Sequence, residues 1–210
     1  MKILHLSDTH NQHRQLRNLP TADVIIHSGD ITFAGTGEEV LDFIEWFGTL
    51  NYQYKIFIAG NHDYSLEGKA QERIQNFLPD NCYYLYNSGV TIKGINFWGI
   101  PFFFSLDESN VDSKTYELIP DNTDVLITHR PPYGILDQSN HRRYGSIDLL
   151  EALNRTHPTY HLFGHIHDNY GIENNKQTTF VNAAVVDTEY NLVRDPFLLN
   201  ITQVLPKSQR

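Results

Sequence analysis

The stretch HLFGHIHDNYG, residues 161–171, runs from an apolar segment into two histidines, His165 and His167, two positions apart. A short apolar run that stops at glycine and then yields imidazoles reads as a buried strand delivering polar groups at its carboxyl end. The pattern recurs along the chain. ILHLSDTH (3–10) ends in Asp8 and His10, VIIHSGD (24–30) in Asp30, IFIAGNHD (56–63) in Asn61, His62 and Asp63, and VLITH (125–129) in His129. Gly29, Gly60 and Gly164 precede these groups, where sharp turns and close backbone approach are needed.

Around these runs the sequence predicts strands at Lys2–Leu6, Val24–His27, Lys55–Ile58, Ile95–Ile100, Val125–Thr128, Tyr160–Phe163, Thr178–Val181 and Phe197–Ile201. Helices are expected at Gly37–Leu50, Lys69–Phe77 and Ile147–Asn154. In the first, Val40, Phe43, Ile44, Phe47 and Leu50 form one apolar stripe, with Thr36 and Glu39 spaced as a capping box. Ser146 is placed to cap the third. Strands alternating with helices indicate an α/β layered fold, and the 210 residues are expected to form one domain, 1–210. The segment Pro101–Pro120 reads as a loop or surface excursion, anchored by phenylalanines and open to a place beside the site.

A net charge of −9 argues against non-specific binding of nucleic acid. It leaves room for a phosphate substrate, since bound cations would reverse the local field. The single cysteine, Cys82, excludes both an internal disulfide and a thiolate zinc cluster. No secretory leader and no membrane-length apolar run is visible, so a cytoplasmic location is expected. Oligomeric state is not legible.

If the five strand ends converge, aspartates and histidines share one cleft. Clustered aspartates would repel one another and be costly to desolvate without cations. Imidazole and carboxylate suit manganese, iron, zinc or nickel, and the absence of thiolate disfavours softer metals. Two divalent ions are expected, manganese first.

In order, DTH, GD, GNHD, TH and GHIH resemble the pattern of the calcineurin-like metallophosphoesterase superfamily over Asp8 to His167. THRPPYGILDQ, HLFGHIHDNYG and FVNAAVV are similar to its metallophosphoesterase-domain-containing subfamily, which includes cyclic-nucleotide phosphodiesterases. Some animal members carry glycine where this chain has His165. The resemblance implies a two-sheet β-sandwich flanked by helices, in α/β/β/α layers, with a dinuclear site at the carboxyl ends of the strands. It implies that Asp8, His10, Asp30 and His167 hold one metal. Asp30 would bridge to a second held by Asn61, His129 and His165. His62 would be a general acid oriented by Asp63. The expected reaction is hydrolysis of a small phosphodiester, a cyclic nucleotide among the candidates, by a hydroxide shared between the metals. A phosphomonoesterase, a protein phosphatase and a metal-containing nucleotide-binding module are the alternatives.

Further substrate contacts are expected from Asn61, His62, Arg130, Arg142 and Arg143, the arginines weighed against being ordinary exposed charges. Tyr133, Tyr144 and Tyr170 are candidates for the wall of a base site or for simple packing. His5, His27 and His161 read as interior histidines or as supports for the ligands. His13, His141 and His157 read as loop residues.

Overall fold

The computed structural model describes residues 1–104 and 111–202. Two mixed sheets pack face to face. The first holds, in spatial order, β13 (Phe197–Asn200), β1 (Lys2–Leu6), β2 (Val24–His27), β3 (Tyr54–Phe57) and β4 (Cys82–Tyr84). The second holds β11 (Gly171–Asn174), β12 (Thr179–Asn182), β10 (Tyr160–Phe163), β7 (Val125–Thr128), β6 (Ile95–Ile100) and β5 (Ser88–Ile92). A two-stranded ribbon, β8 (Gln138–Ser139) with β9 (Arg142–Arg143), stands apart.

The near-continuous apolar strands follow from burial on both faces. Successive side chains point to opposite sides of a sheet. Ile3, Val24, Ile26, Ile56 and Ile58 meet Val125, Ile127, Leu162 and Val181 between the sheets. Their neighbours Leu4, Leu6, Ile25 and Phe57 turn outward to α1 (Gly37–Thr49) and α2 (Gln71–Gln75). On the other side Leu126, Phe163 and Phe180 pack against α4 (Ile147–Thr156) and the segment after α3 (Val111–Glu117). The layers are therefore α/β/β/α, as the resemblance implies. In α1, Phe43 and Phe47 are wholly buried, each worth about 2 kcal/mol in transfer from water.

The helix ends are fixed by local chemistry. Glu39 N–H donates to Thr36 Oγ1 at 3.2 Å and Thr36 N–H to Glu39 Oε2 at 3.1 Å, completing the capping box. The buried Lys55 ammonium donates to Gly48 O at 2.7 Å, satisfying a carbonyl in the last turn of α1. Ser146 Oγ accepts from Leu149 N–H at 3.2 Å at the start of α4, which ends at His157 in the left-handed region.

Strands β1, β2, β6, β7 and β10 have the expected bounds, while the other expected strands shift by one residue at one or both ends. Helix α2 is shorter than expected and α4 runs two residues further. The loop expected at Pro101–Pro120 is corrected in part. It contains α3, and the buried Tyr116 and Ile119 pack in the core with α4 residues Leu149 and Leu153. Residues 105–110 of that segment lie outside the described residues. No helix among the described residues is long and apolar enough to cross a membrane.

The two sheets are stitched together where the site forms. Beyond β1, Ser7 N–H donates to Ala183 O at 3.0 Å and Val185 N–H to Ser7 O at 3.1 Å, a bridge between Ser7 and Ala184 beyond β12. Parallel neighbours β1, β2 and β3 in one sheet, and β7, β10 and β12 in the other, thus end at a common edge.

Candidate active site

Each of these strands ends in a turn that swings a side chain back over the sheet edge. The turns force unusual backbone. Asp8, His10, Asp30 and His165 all have positive φ, at 57°, 41°, 55° and 70°. Non-glycine residues held there cost of order 1–3 kcal/mol each and concentrate where function demands them. Space is equally tight. A Cβ on Gly164 would stand 2.0 Å from Asp8 Oδ2, and one on Gly60 2.3 Å from Asp30 Oδ1. Only a residue without a side chain lets the backbone pass so close to these carboxylates.

The expected ligands converge from both sheets. Asp8, His10 and His167 form one group whose ligand atoms lie within 4.8 Å of one another, and Asp30, His129 and His165 form a second. Asp30 also joins the first, since His10 Nε2 is 3.6 Å from Asp30 Oδ2. Asn61 Oδ1 lies 3.1 Å from His129 Nε2. His62 too stands within the same limit of His10 and Asp30, so distance alone does not separate it from the ligands.

Hydrogen bonds decide which ring nitrogens face inward. His129 Nδ1–H donates to Ser28 O at 2.9 Å, and His167 Nδ1–H to Asp187 O at 2.9 Å. Carbonyls only accept, so in the neutral rings Nε2 carries the lone pair. His129 Nε2 therefore faces Asp30 Oδ2 at 3.3 Å and Asn61 Oδ1. His167 Nε2 faces Asp8 Oδ1 and His10 Nε2, each at 3.4 Å. Acceptors aimed at acceptors in a buried place need a cation between them. These residues fit a pair of divalent metals.

The electrostatics agree. Burial pushes the His129 pKa down, yet the charges of Asp30 and Asp8 raise it to about 9, so the ring would take a proton where no other cation serves. Burial opposes ionisation of Asp8 and protonation of His167 alike, yet Asp8 pushes the His167 pKa up, so this ring too would take a proton where no other cation serves. That proton, with the charges of His129 and His10, holds Asp8 well below the carboxylate range. Asp30 is held at about 2 against the same burial cost, chiefly by His129. His10 and His165 are lowered to about 4 and about 3, burial being the largest cause.

The half-buried His62 lies at the cleft, and its ring centroid is 4.7 Å from that of His10. Its Nδ1–H donates to Phe33 O at 3.0 Å, which leaves Nε2 open. Asp63, expected to orient His62, reaches it through Thr32 and not through the ring. The buried Asp63 carboxylate accepts from Gly60 N–H at 2.7 Å, Thr32 N–H at 2.9 Å and Thr32 Oγ1–H at 2.8 Å. Thr32 Oγ1 also lies 2.8 Å from His62 O. Asp63 thus braces the His62 backbone, while Phe33 O holds the ring.

None of the three expected arginines is among the residues bordering the cleft, though the charge of Arg130 is felt at His165. Arg143 pairs with Asp137 at 2.6 Å and lies over the Tyr133 ring. Arg130 Nε–H donates to Tyr144 O at 2.9 Å, its guanidinium over Phe102. Arg142 is exposed on the ribbon beside His141. Among the three tyrosines, only Tyr144 lines the cleft. Tyr170 stacks on Phe197 and donates to Asp195 O. His13, expected in a loop, is buried and bonds Asp42 at 2.9 Å.

The cleft measures about 400 Å³ and is bordered by Asn61, His62, Phe104, Tyr144, His165 and Tyr190. The turn Asp187–Asn191, beyond β12, escaped the sequence reading. Its Asp187 carbonyl fixes His167, and its Tyr190 packs against His10. Extending the strand-end rule to the run Thr178–Val181 would have led to it.

The calcineurin-like phosphoesterase family model matches residues 1–169. The chain is 36% identical to human metallophosphoesterase domain-containing protein 1, covering 93% of this chain and 69% of that one. It is also 36% identical to a UPF0046 protein of Caenorhabditis elegans, covering 88% of this chain and 69% of that one. A solved structure from Thermus thermophilus superposes with a TM-score of 0.59 at 12% identity, covering 87% of this chain and 88% of that one, a likeness of fold.

Proposed function

This chain belongs to the calcineurin-like phosphoesterase family and is a phosphoric ester hydrolase; from that premise we infer that it acts on a small phosphodiester, such as a cyclic nucleotide. The observation that carries the reading is the set of converging ligand atoms on Asp8, His10, Asp30, Asn61, His129 and His167, with His62 beside them. Asp8, His10, Asp30 and His167 would hold one divalent cation, and Asp30, Asn61, His129 and His165 the other. When bound, such a pair, manganese first, supplies an activated water and polarises the phosphoryl oxygens.

The remaining chemistry belongs to the chain. Phe33 O holds His62 Nδ1–H, so a proton carried on Nε2 points into the cleft for the departing ester oxygen. Asp63, through Thr32, keeps the backbone of His62 beside Asp30, whose Oδ1 accepts from His62 N–H at 2.8 Å. Asp187 O orients His167, as supporting partners of ligand histidines do.

The choice of diester rests on charge. Among the described residues, no arginine or lysine lines the cleft. A diester carries one negative charge and a monoester up to two, so beyond the two cations the cleft wall adds no arginine or lysine for the second charge of a monoester.

The test is a screen of metal-reconstituted protein with 4-nitrophenyl phosphate, its bis ester and cyclic nucleotides. Diesters should turn over faster than the monoester, and manganese should restore activity removed by a chelator. A preference for the monoester overturns the diester reading. Tight nucleotide binding without turnover in any metal would make the protein a binding module.

A further inference from the structure

Tyr190 is held in a conformation a bulky side chain avoids, with φ at 63°. Several contacts impose it. Asp187 Oδ1 accepts from Glu189 N–H at 2.9 Å and Asn191 N–H at 2.8 Å, and Tyr190 N–H donates to Asp187 O at 3.0 Å. From across the cleft edge, Gln12 Nε2–H donates to Tyr190 O at 2.7 Å. Such over-determined strain marks a side chain whose position matters.

The ring lies at the first half of the metal centre. Its centroid is 4.8 Å from that of His10, 5.3 Å from His167 and 6.1 Å from His62. Phe33 backs it at 5.4 Å. The second half has its own aromatics, Phe102 at 5.5 Å and Phe104 at 6.3 Å from His165. The cleft therefore carries one aromatic wall beside each half of the ligand set. Tyr190 stands on the side of His62, where the leaving oxygen would be protonated, and among the described residues its hydroxyl has no hydrogen-bond partner.

We propose that Tyr190 is a specificity-determining residue that grips the leaving arm of the substrate, and that this arm carries a flat ring. The ring of Tyr190 packs against it, and the hydroxyl donates to a polar atom on it. This rests on the phosphodiesterase reading above and adds the chemical class of the leaving alcohol.

The test uses Tyr190→Asn, because asparagine tolerates positive φ and removes the ring, and Tyr190→Phe, which removes only the hydroxyl. Metal content is checked in each variant. Two diesters are compared at saturating manganese. Methyl 4-nitrophenyl phosphate has a ring on its leaving arm alone, and bis(trifluoroethyl) phosphate, followed by phosphorus NMR, has none. For Tyr190→Asn the expected result is a KM raised about ten-fold for the first ester, the scale of a lost stacking contact, with little change for the second. Tyr190→Phe should recover most of the difference. An equal loss on both esters, or a fall in metal content and kcat with KM unchanged, would show that Tyr190 only props the ligands and would overturn the proposal. An unchanged KM on the ring-bearing ester overturns it too. If the wild-type protein hydrolyses the esters, such a failure concerns Tyr190 alone. If it hydrolyses none, the functional reading falls and takes this one with it.

Discussion

Two layers of histidine lie under the cleft, one wholly buried and one reaching the cleft wall, and they are opposite in chemistry. His5, His27 and His161 form the inner layer and His10, His129, His165 and His167 the outer. Each inner ring meets a hydroxyl: His5 with Ser28 Oγ at 2.9 Å, His27 with Thr9 Oγ1 at 2.9 Å and His161 with Thr128 Oγ1 at 2.8 Å. Burial lowers each to about 3, so they stay neutral. The outer rings His10, His129 and His167 meet carboxylates instead. The lesson is that the facing partner, rather than residue type or depth, assigns the role. A hydroxyl can donate or accept and so suits a nitrogen of a neutral ring in either tautomer, whereas a carboxylate only accepts and leaves room for a cation.

The inner layer also carries the outer. His27 Nδ1 accepts from Gly29 N–H at 3.3 Å, which requires Nε2–H to donate to Thr9. The Ser28 whose hydroxyl meets His5 presents its carbonyl to His129. The turns bearing Asp8, His10 and Asp30 thus rest on neutral rings, that of His27 in a fixed tautomer.

The contrast can be tested at three depths. The largest effect is expected in the outer layer. Asp30→Ala removes the carboxylate shared by both halves, and activity should fall about 10⁴-fold or more, with bound metal lost by elemental analysis. Retained stoichiometry and activity would dissolve the distinction. His62→Ala, next to the ligands but held by Phe33 O, should lose about 10²–10³-fold in kcat on a poor leaving group while keeping its metal. Loss of metal there would move His62 into the ligand set.

The smallest effect is expected from His161→Leu, read in stability. In the folded protein His161 is lowered from 6.5 to about 3. Between those values the unfolded chain binds a proton that the folded one refuses. Stability is therefore intact above 6.5 and is lost as pH falls toward about 3, by up to ~1.4 kcal/mol per pH unit from this group. Urea unfolding of metal-free protein across that range should show the slope reduced in His161→Leu. Equal slopes would mean that His161 is not held neutral.

Most strands that the sequence reveals are covered on both faces, because Val24–His27 or Val125–Thr128 can be nothing but interior, while the edge strand Phe197–Asn200 was legible from its apolar run alone. The missed ones lie at sheet edges or are very short. The Ser88–Ile92 strand alternates and is half-exposed, and the Cys82–Tyr84 strand has three residues. The α3 helix was hidden in a polar stretch because its docking depends on Tyr116 and Ile119 meeting α4, a contact no local pattern encodes.

The site divides in the same way. Asp8, His10, Asp30, Asn61, His62, His129, His165 and His167 could be named from one dimension, since each follows an apolar run within a few positions and strand ends in such sheets gather at one edge. How those groups are aimed could not. The carbonyls of Ser28, Phe33 and Asp187 that set the ring nitrogens lie 101, 29 and 20 positions from the histidines they hold. Backbone carbonyls look alike in every sequence, so only the folded chain decides which one a given imidazole meets.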